Sequence, residues 1–228
     1  MGSNALLLNS DQQLILCQHG DRRMARMDAP LQSPKPVFST LAQTYMGKKL
    51  NSPNDAIFRS NGDLVFTDPP YGLEKNMLDP AKETPFQGVY LVTRSGNMRL
   101  LIDSVSRPNG IALMPGEKSM IIANSDSTKP VWYRYEWTKG DSLEAKGLFY
   151  DASLQSRKSK GLPDGLKIDR NGNVFATGPG GVFIFNQEGK LLGRILIPVR
   201  CSNIAFGEDE KTIFITATMY VLRLVMRK

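Results

Sequence analysis

One pattern recurs five times along the chain and sharply limits what it can fold into. The segments SNALLLNSDQQLILC from Ser3, PNDAIFRSNGDLVFT from Pro53, PNGIALMPGEKSMII from Pro108, PDGLKIDRNGNVFAT from Pro163 and SNIAFGEDEKTIFIT from Ser202 align without gaps. Each opens with Pro or Ser followed by Asn or Asp, giving the lead residues Asn4, Asn54, Asn109, Asp164 and Asn203. Apolar residues follow two and four places later, as in Ile111 and Leu113 or Leu166 and Ile168. A period of two means a strand with one buried face. A polar turn comes next, and in two repeats it holds Asn-Gly, at Asn61-Gly62 and Asn171-Gly172. Asn-Gly between apolar runs is a strong hairpin signal. The second run is apolar again: Leu64-Val65-Phe66, Val174-Phe175-Ala176 and Ile213-Phe214-Ile215.

The leads recur at intervals of 50, 55, 55 and 39 residues. Further strand-like runs lie between them, at 88–92, 98–102, 131–135 and 181–185. Each unit thus holds about four strands, the content of one β-propeller blade. A β-sandwich needs no sequence repeat at this interval, and no segment has sustained helical periodicity. The expected fold is all-β, one propeller domain over residues 1–228. The irregular stretches 28–36, 71–87 and 151–162 fall between strands and are read as loops. The stretch Tyr71 to Gln87 is long enough to be a lid or a plain surface insertion.

Composition narrows the function. Of 228 residues 41% are apolar and 22% charged, with a formal net charge of +7, which excludes intrinsic disorder. The basic residues are scattered, so no nucleic-acid surface is expected. No apolar run reaches about 18 residues and no basic-then-apolar N-terminus is present, which predicts no membrane span and a cytoplasmic location. Two cysteines, Cys17 and Cys201, are too few for a disulfide framework, and the single histidine, His19, excludes a multi-histidine metal site within the chain.

In a propeller the innermost strand of each blade lines a central channel, so the five leads should gather at one mouth of it. Amide oxygens and a carboxylate converging there suit a hard cation such as Ca²⁺. Asn and Asp also begin strands simply because they make local turns, and on the residues alone that alternative stands beside the first.

The longer motifs LNSPNDAIFRSNGDLVFTDPPYGLE, SRPNGIALMPGEKSMIIANSD, GLPDGLKIDRNGNVFATGPGGVFIF and CSNIAFGEDEKTIFITA resemble the gluconolactonase family, which includes regucalcin and is more distantly related to the paraoxonases. The resemblance runs from Gly2 to about Leu224. It implies a six-bladed propeller holding a divalent cation, calcium ahead of magnesium or zinc, that hydrolyses sugar-type lactones to hydroxy acids. Carried over by motif, Asn54, Asn109 and Asp164 match metal ligands. Asn54 and the following Asp55 match substrate-contacting positions, Asp55 as the carboxylate behind Asn54. Asp164 matches the general base, and His19 resembles the channel histidine of paraoxonase-like lactonases, so either would activate water. The sequence lacks the family's EGP glutamate and carries five leads rather than six. The expectation is a family member without its first blade, with cation affinity reduced by orders of magnitude because ligand charge sets that affinity. The implied partner is a small-molecule lactone. The alternative role is a non-catalytic propeller that binds a ligand through its channel face.

Overall fold

The computed structural model describes residues 2–226. The chain divides into two compact units, one through Pro108 and one from Asn109 onward. The first unit holds two four-stranded antiparallel sheets. One is built from β1 (Leu6–Leu8), β2 (Leu14–Gln18), β3 (Arg23–Met27) and β4 (Phe38–Ala42). A small hairpin of β5 (Thr44–Tyr45) and β6 (Lys48–Lys49), which the repeat does not predict, leads into the next. The second sheet runs β7 (Ala56–Phe58), β8 (Leu64–Asp68), β9 (Gly88–Val92) and β10 (Met98–Ile102) in chain order.

The second unit holds three sheets of the same up-and-down kind. They are β11 (Pro108–Leu113), β12 (Ser119–Asp126), β13 (Lys129–Trp137) and β14 (Leu143–Asp151); then β15 (Leu166–Ile168), β16 (Val174–Gly178), β17 (Gly181–Phe185) and β18 (Leu191–Leu196); then β19 (Cys201–Phe206), β20 (Thr212–Ala217) and β21 (Tyr220–Val225). Among the described residues the chain therefore has five blade sheets, four of four strands and one of three. The sole α-helix among them is one turn, α1 (Ser153–Ser156).

Consecutive sheets stack face to face within each unit, and the last sheet buries only alternate residues of its middle strand β20, Ile213, Ile215 and Ala217. Every residue of β8 and β9 is buried. In the first unit Ile15, Cys17 and Met24 of one sheet interlock with Ala56, Phe66 and Tyr90 of the next. In the second unit Ile121, Ala123 and Trp132 pack on Ala176, Phe183 and Phe185. The Trp132 ring lies 5.4 Å from that of Phe183 and 5.6 Å from that of Phe185. Each such aromatic pair adds about 1 kcal/mol beyond its buried area.

The Asn-Gly turns are hairpins, with one extra residue compared with the tightest form. Arg59 N–H donates to the Asp63 carbonyl at 2.8 Å and Gly62 N–H to the Arg59 carbonyl at 2.9 Å. Gly62 is thus the third loop residue, at φ 88°, and Gly172 takes the same place at φ 84°. This left-handed position favours glycine, since a Cβ there crowds the backbone. Gln12 occupies it at φ 58° in the first hairpin.

Candidate active site

Four of the lead residues occupy one structural place in their sheets. The N–H of Asn4 donates to the Cys17 carbonyl at 2.9 Å, that of Asn54 to Thr67 at 2.9 Å, and that of Asp164 to Thr177 at 3.1 Å. Asn203 stands opposite Thr216. These four leads close the open ends of their hairpins against the residue thirteen places on, while Asn109 opens a hairpin whose loop is one residue longer, with Met114 N–H on the Ser119 carbonyl at 2.8 Å.

In the second unit the leads come side by side. Asn109 Nδ2 donates to Ser125 Oγ at 2.8 Å, and the Ser125 hydroxyl donates to the carbonyl of Pro163, the residue before Asp164. Gly165 N–H donates to the Ser202 carbonyl at 2.8 Å. The strand starts approach so closely that a Cβ on Gly110 would lie 2.2 Å from the Asp164 carbonyl oxygen, and one on Gly165 would lie 2.2 Å from Asn203 Oδ1. Only glycine permits such contact. Asn109 is buried and Asp164 half-buried. The Asn109 Nδ2 is committed to Ser125, and Asp164 begins the adjoining strand. Asn203 differs: its Oδ1 accepts the N–H of Ile204 at 2.8 Å and so serves its own strand.

The first unit carries Asn54, Asp55 and His19. Ala5 N–H donates to the Asn54 carbonyl at 3.1 Å, which sets Asn4 and Asn54 at neighbouring strand starts. Asn54 and Asp55 are both buried. The Asp55 Oδ1 accepts the N–H of Ala56 at 2.9 Å and its own N–H donates to Thr67 Oγ1 at 3.2 Å, so the carboxylate stiffens the strand start behind Asn54. Burial, followed by the Asp55 charge, drives the Cys17 thiol well above the ordinary range, which makes it an inert core thiol. Cys201 is likewise buried and raised by burial. His19 sits in the turn between β2 and β3, with its N–H on the Cys17 carbonyl at 2.9 Å. Its ring lies against Gly2, where a Cβ would be 2.9 Å from Nε2, and its buried Nδ1 has no hydrogen-bond partner among the described residues.

The repeat does not reveal what holds the Asn51–Asn54 loop. Asp68, fully buried at the end of β8, accepts the N–H of Asn51 on one carboxylate oxygen and that of Ser52 on the other, both at 2.7 Å. Arg22, also buried, donates Nε to the carbonyls of Leu50 and Asn51 at 2.7 and 3.0 Å. Its Nη1 reaches the Ala81 carbonyl at 2.8 Å. Thr84 Oγ1 donates to Asn51 Oδ1 at 2.9 Å, and Asn51 Nδ2 donates to the Phe86 carbonyl at 3.0 Å. The 71–87 stretch is thereby stitched to the lead loop at several points and stands as a pinned insertion. Burial pushes the Asp68 carboxyl up to about 7, against the two backbone N–H groups, Arg22 and Lys82, which favour its charge.

The donors brought together suit a hard cation. The Asn109 amide and the Asp164 carboxylate offer oxygen only, the chemistry of calcium or magnesium rather than of zinc. Among the described residues no three of His, Cys, Asp and Glu cluster, so the charge that a cation would meet comes chiefly from Asp164.

Comparison with known proteins agrees with this architecture. The chain is 36% identical to a gluconolactonase of Zymomonas mobilis, in an alignment covering 98% of this chain and 63% of that protein. The chain thus spans a little under two thirds of that relative's length. A solved gluconolactonase structure from Xanthomonas campestris is 29% identical, covers 99% of this chain and 72% of its own, and superimposes with a TM-score of 0.85. A calcium-binding regucalcin from Agrobacterium tumefaciens shares the fold at 19% identity and a TM-score of 0.69, over 93% of this chain and 67% of its own. The architecture is an all-β propeller type with five blade sheets described. Residues 2–219 match the SMP-30/gluconolactonase/LRE-like region, and the chain belongs to that family.

Proposed function

We propose that this chain is a divalent-metal-assisted lactonase of the six-bladed gluconolactonase type, hydrolysing a sugar-type lactone to its hydroxy acid. The observation that supports the reading is the Asn109–Ser125–Pro163 link, which ties the strand start carrying Asn109 to the one carrying Asp164. In this reading Asn109 and Asp164 hold the cation, calcium first, with Asn54 carried over as the further ligand. When bound, the cation supplies Lewis-acid polarisation of the lactone carbonyl.

The chain's own groups do the rest. Asp164, half-buried, takes the proton of the water that attacks the carbonyl carbon. The ring C–O bond then breaks, and the leaving alkoxide takes up a proton to give the hydroxy acid. His19 is the second candidate for the base. No carboxylate hydrogen-bonds its Nδ1 among the described residues, so it lacks the orienting partner that makes an imidazole a strong catalytic base. Asn54 presents its amide to the substrate, and Asp55 fixes the backbone behind it.

The test is pH-stat hydrolysis of gluconolactone, corrected for the spontaneous reaction, with added calcium and again after chelation. The reading expects turnover that calcium supports and a chelator removes. Turnover indifferent to the chelator overturns the metal's role, and no turnover in calcium overturns the lactonase reading.

A further inference from the structure

The first unit has a concave feature away from its lead residues. A cavity of about 450 Å³ opens where three hairpin turns meet, those at 9–13, 59–63 and 93–97. These turns close the far ends of β1, β7 and β9, a strand's length of about 15 Å from Asn4 and Asn54. The volume lies within the range of small-ligand sites.

Its lining is two-sided. Phe58, Leu64 and Val92 form an apolar floor, and three arginines, Arg26, Arg59 and Arg94, line it with one carboxylate, Asp11. Arg26 is already occupied, donating Nε and Nη2 to Asp28 Oδ1 at 3.2 and 3.0 Å. Asp63 is committed to the turns themselves, accepting the backbone N–H of Arg94 from the neighbouring turn at 3.0 Å and the Asn61 amide of its own at 2.8 Å. Arg94 is the distinctive group. Its aliphatic stem packs over Gly62, where a Cβ would stand 3.3 Å from Arg94 Cδ. Its guanidinium makes no ion pair or hydrogen bond within the described chain. Arg94 is exposed, and a guanidinium at the rim of a pocket that also has apolar lining is a ready partner for a carboxylate attached to an apolar body.

We infer that this cavity is a binding site for a small organic carboxylate with an apolar body, its charge on Arg94 and its body on Phe58, Leu64 and Val92. A free aldonic acid, hydroxylated along its length, matches the charge and not the floor. The site is therefore separate from lactone chemistry, and the inference stands whether or not the chain is a lactonase.

The experiment is a fluorescence titration of the purified chain with 2-naphthoate, using 2-naphthylmethanol as the uncharged analogue and acetate as the bare head group. Saturable one-to-one binding of 2-naphthoate is expected, about tenfold or more weaker in Arg94→Ala and weaker again in Arg94→Glu. Raised salt should weaken it, because the ion pair is at the rim. Neither gluconate nor calcium should displace it, and both variants should melt and turn over lactone as the parent does. Absence of saturation, equal binding by Arg94→Ala, or equal binding of 2-naphthylmethanol overturns the inference. Displacement by gluconate also overturns it, since it would place the probe among the lead residues.

Discussion

Gly110 has no room for a methyl group. The Cβ it would gain meets the Asp164 carbonyl at 2.2 Å and Gly165 Cα at 2.8 Å, and both are backbone atoms that cannot swing aside. Gly110→Ala should destabilise the chain by about 1–3 kcal/mol or more, read from denaturant melts. It should also separate Asn109 from Asp164 and weaken calcium binding. Ser125→Ala is the gentler companion: it removes the hydroxyl joining Asn109 to Pro163 and should cost about 1 kcal/mol, with weaker calcium binding on a near-normal fold. A normal calcium isotherm in both variants would contradict the role given to this link. The lead residues were legible in the sequence because they recur at the same place in the repeat, as Asn109 and Asp164 do. Ser125 was not, because a single serine in a strand says nothing about the carbonyl it meets 38 residues later.

The same division appears at the level of elements. Strands β9, β10 and β17 fall on the predicted runs because their apolar residues are contiguous and bounded by turns. The loop at 71–87 could be placed in the sequence, yet its anchoring could not, since Arg22, Asn51 and Asp68 act on carbonyls and N–H groups remote in the chain. Asp68 also gives these elements a pH signature. Burial lifts its carboxyl from an ordinary value of 3.8 to about 7, so between those values the folded chain binds more protons than the unfolded chain. Stability from this group therefore falls as pH rises from about 4 to about 7 and levels off above. Asp68→Asn keeps one acceptor where two backbone N–H groups need one each, and should cost about 1–3 kcal/mol. Its penalty should be largest near pH 4 and shrink toward pH 8, as measured by urea melts across that range. A penalty that grows with pH would contradict the assignment.

For the whole molecule, the fifth sheet has consequences for solution behaviour. Among the described residues it has three strands, so β21 is its edge, and Tyr220, Val221, Leu224 and Val225 on it are exposed. An exposed apolar edge strand templates pairing with other chains, and lysine on such an edge prevents it. Val221→Lys with Val225→Lys should lower the light scattering of concentrated solutions without lowering the melting temperature, whereas unchanged scattering would mean that this edge is not adhesive. The proposed lactone hydrolysis rests on the carboxylate at one lead position, Asp164. The most direct test is the pH-stat rate on gluconolactone for Asp164→Asn beside the parent, both in saturating calcium. Asparagine keeps the shape and an oxygen donor while removing the charge and the base. With Asp164 as the base, the rate should fall about 100-fold or more, the contribution typical of a lost general base. A rate within a few-fold of the parent would contradict that role.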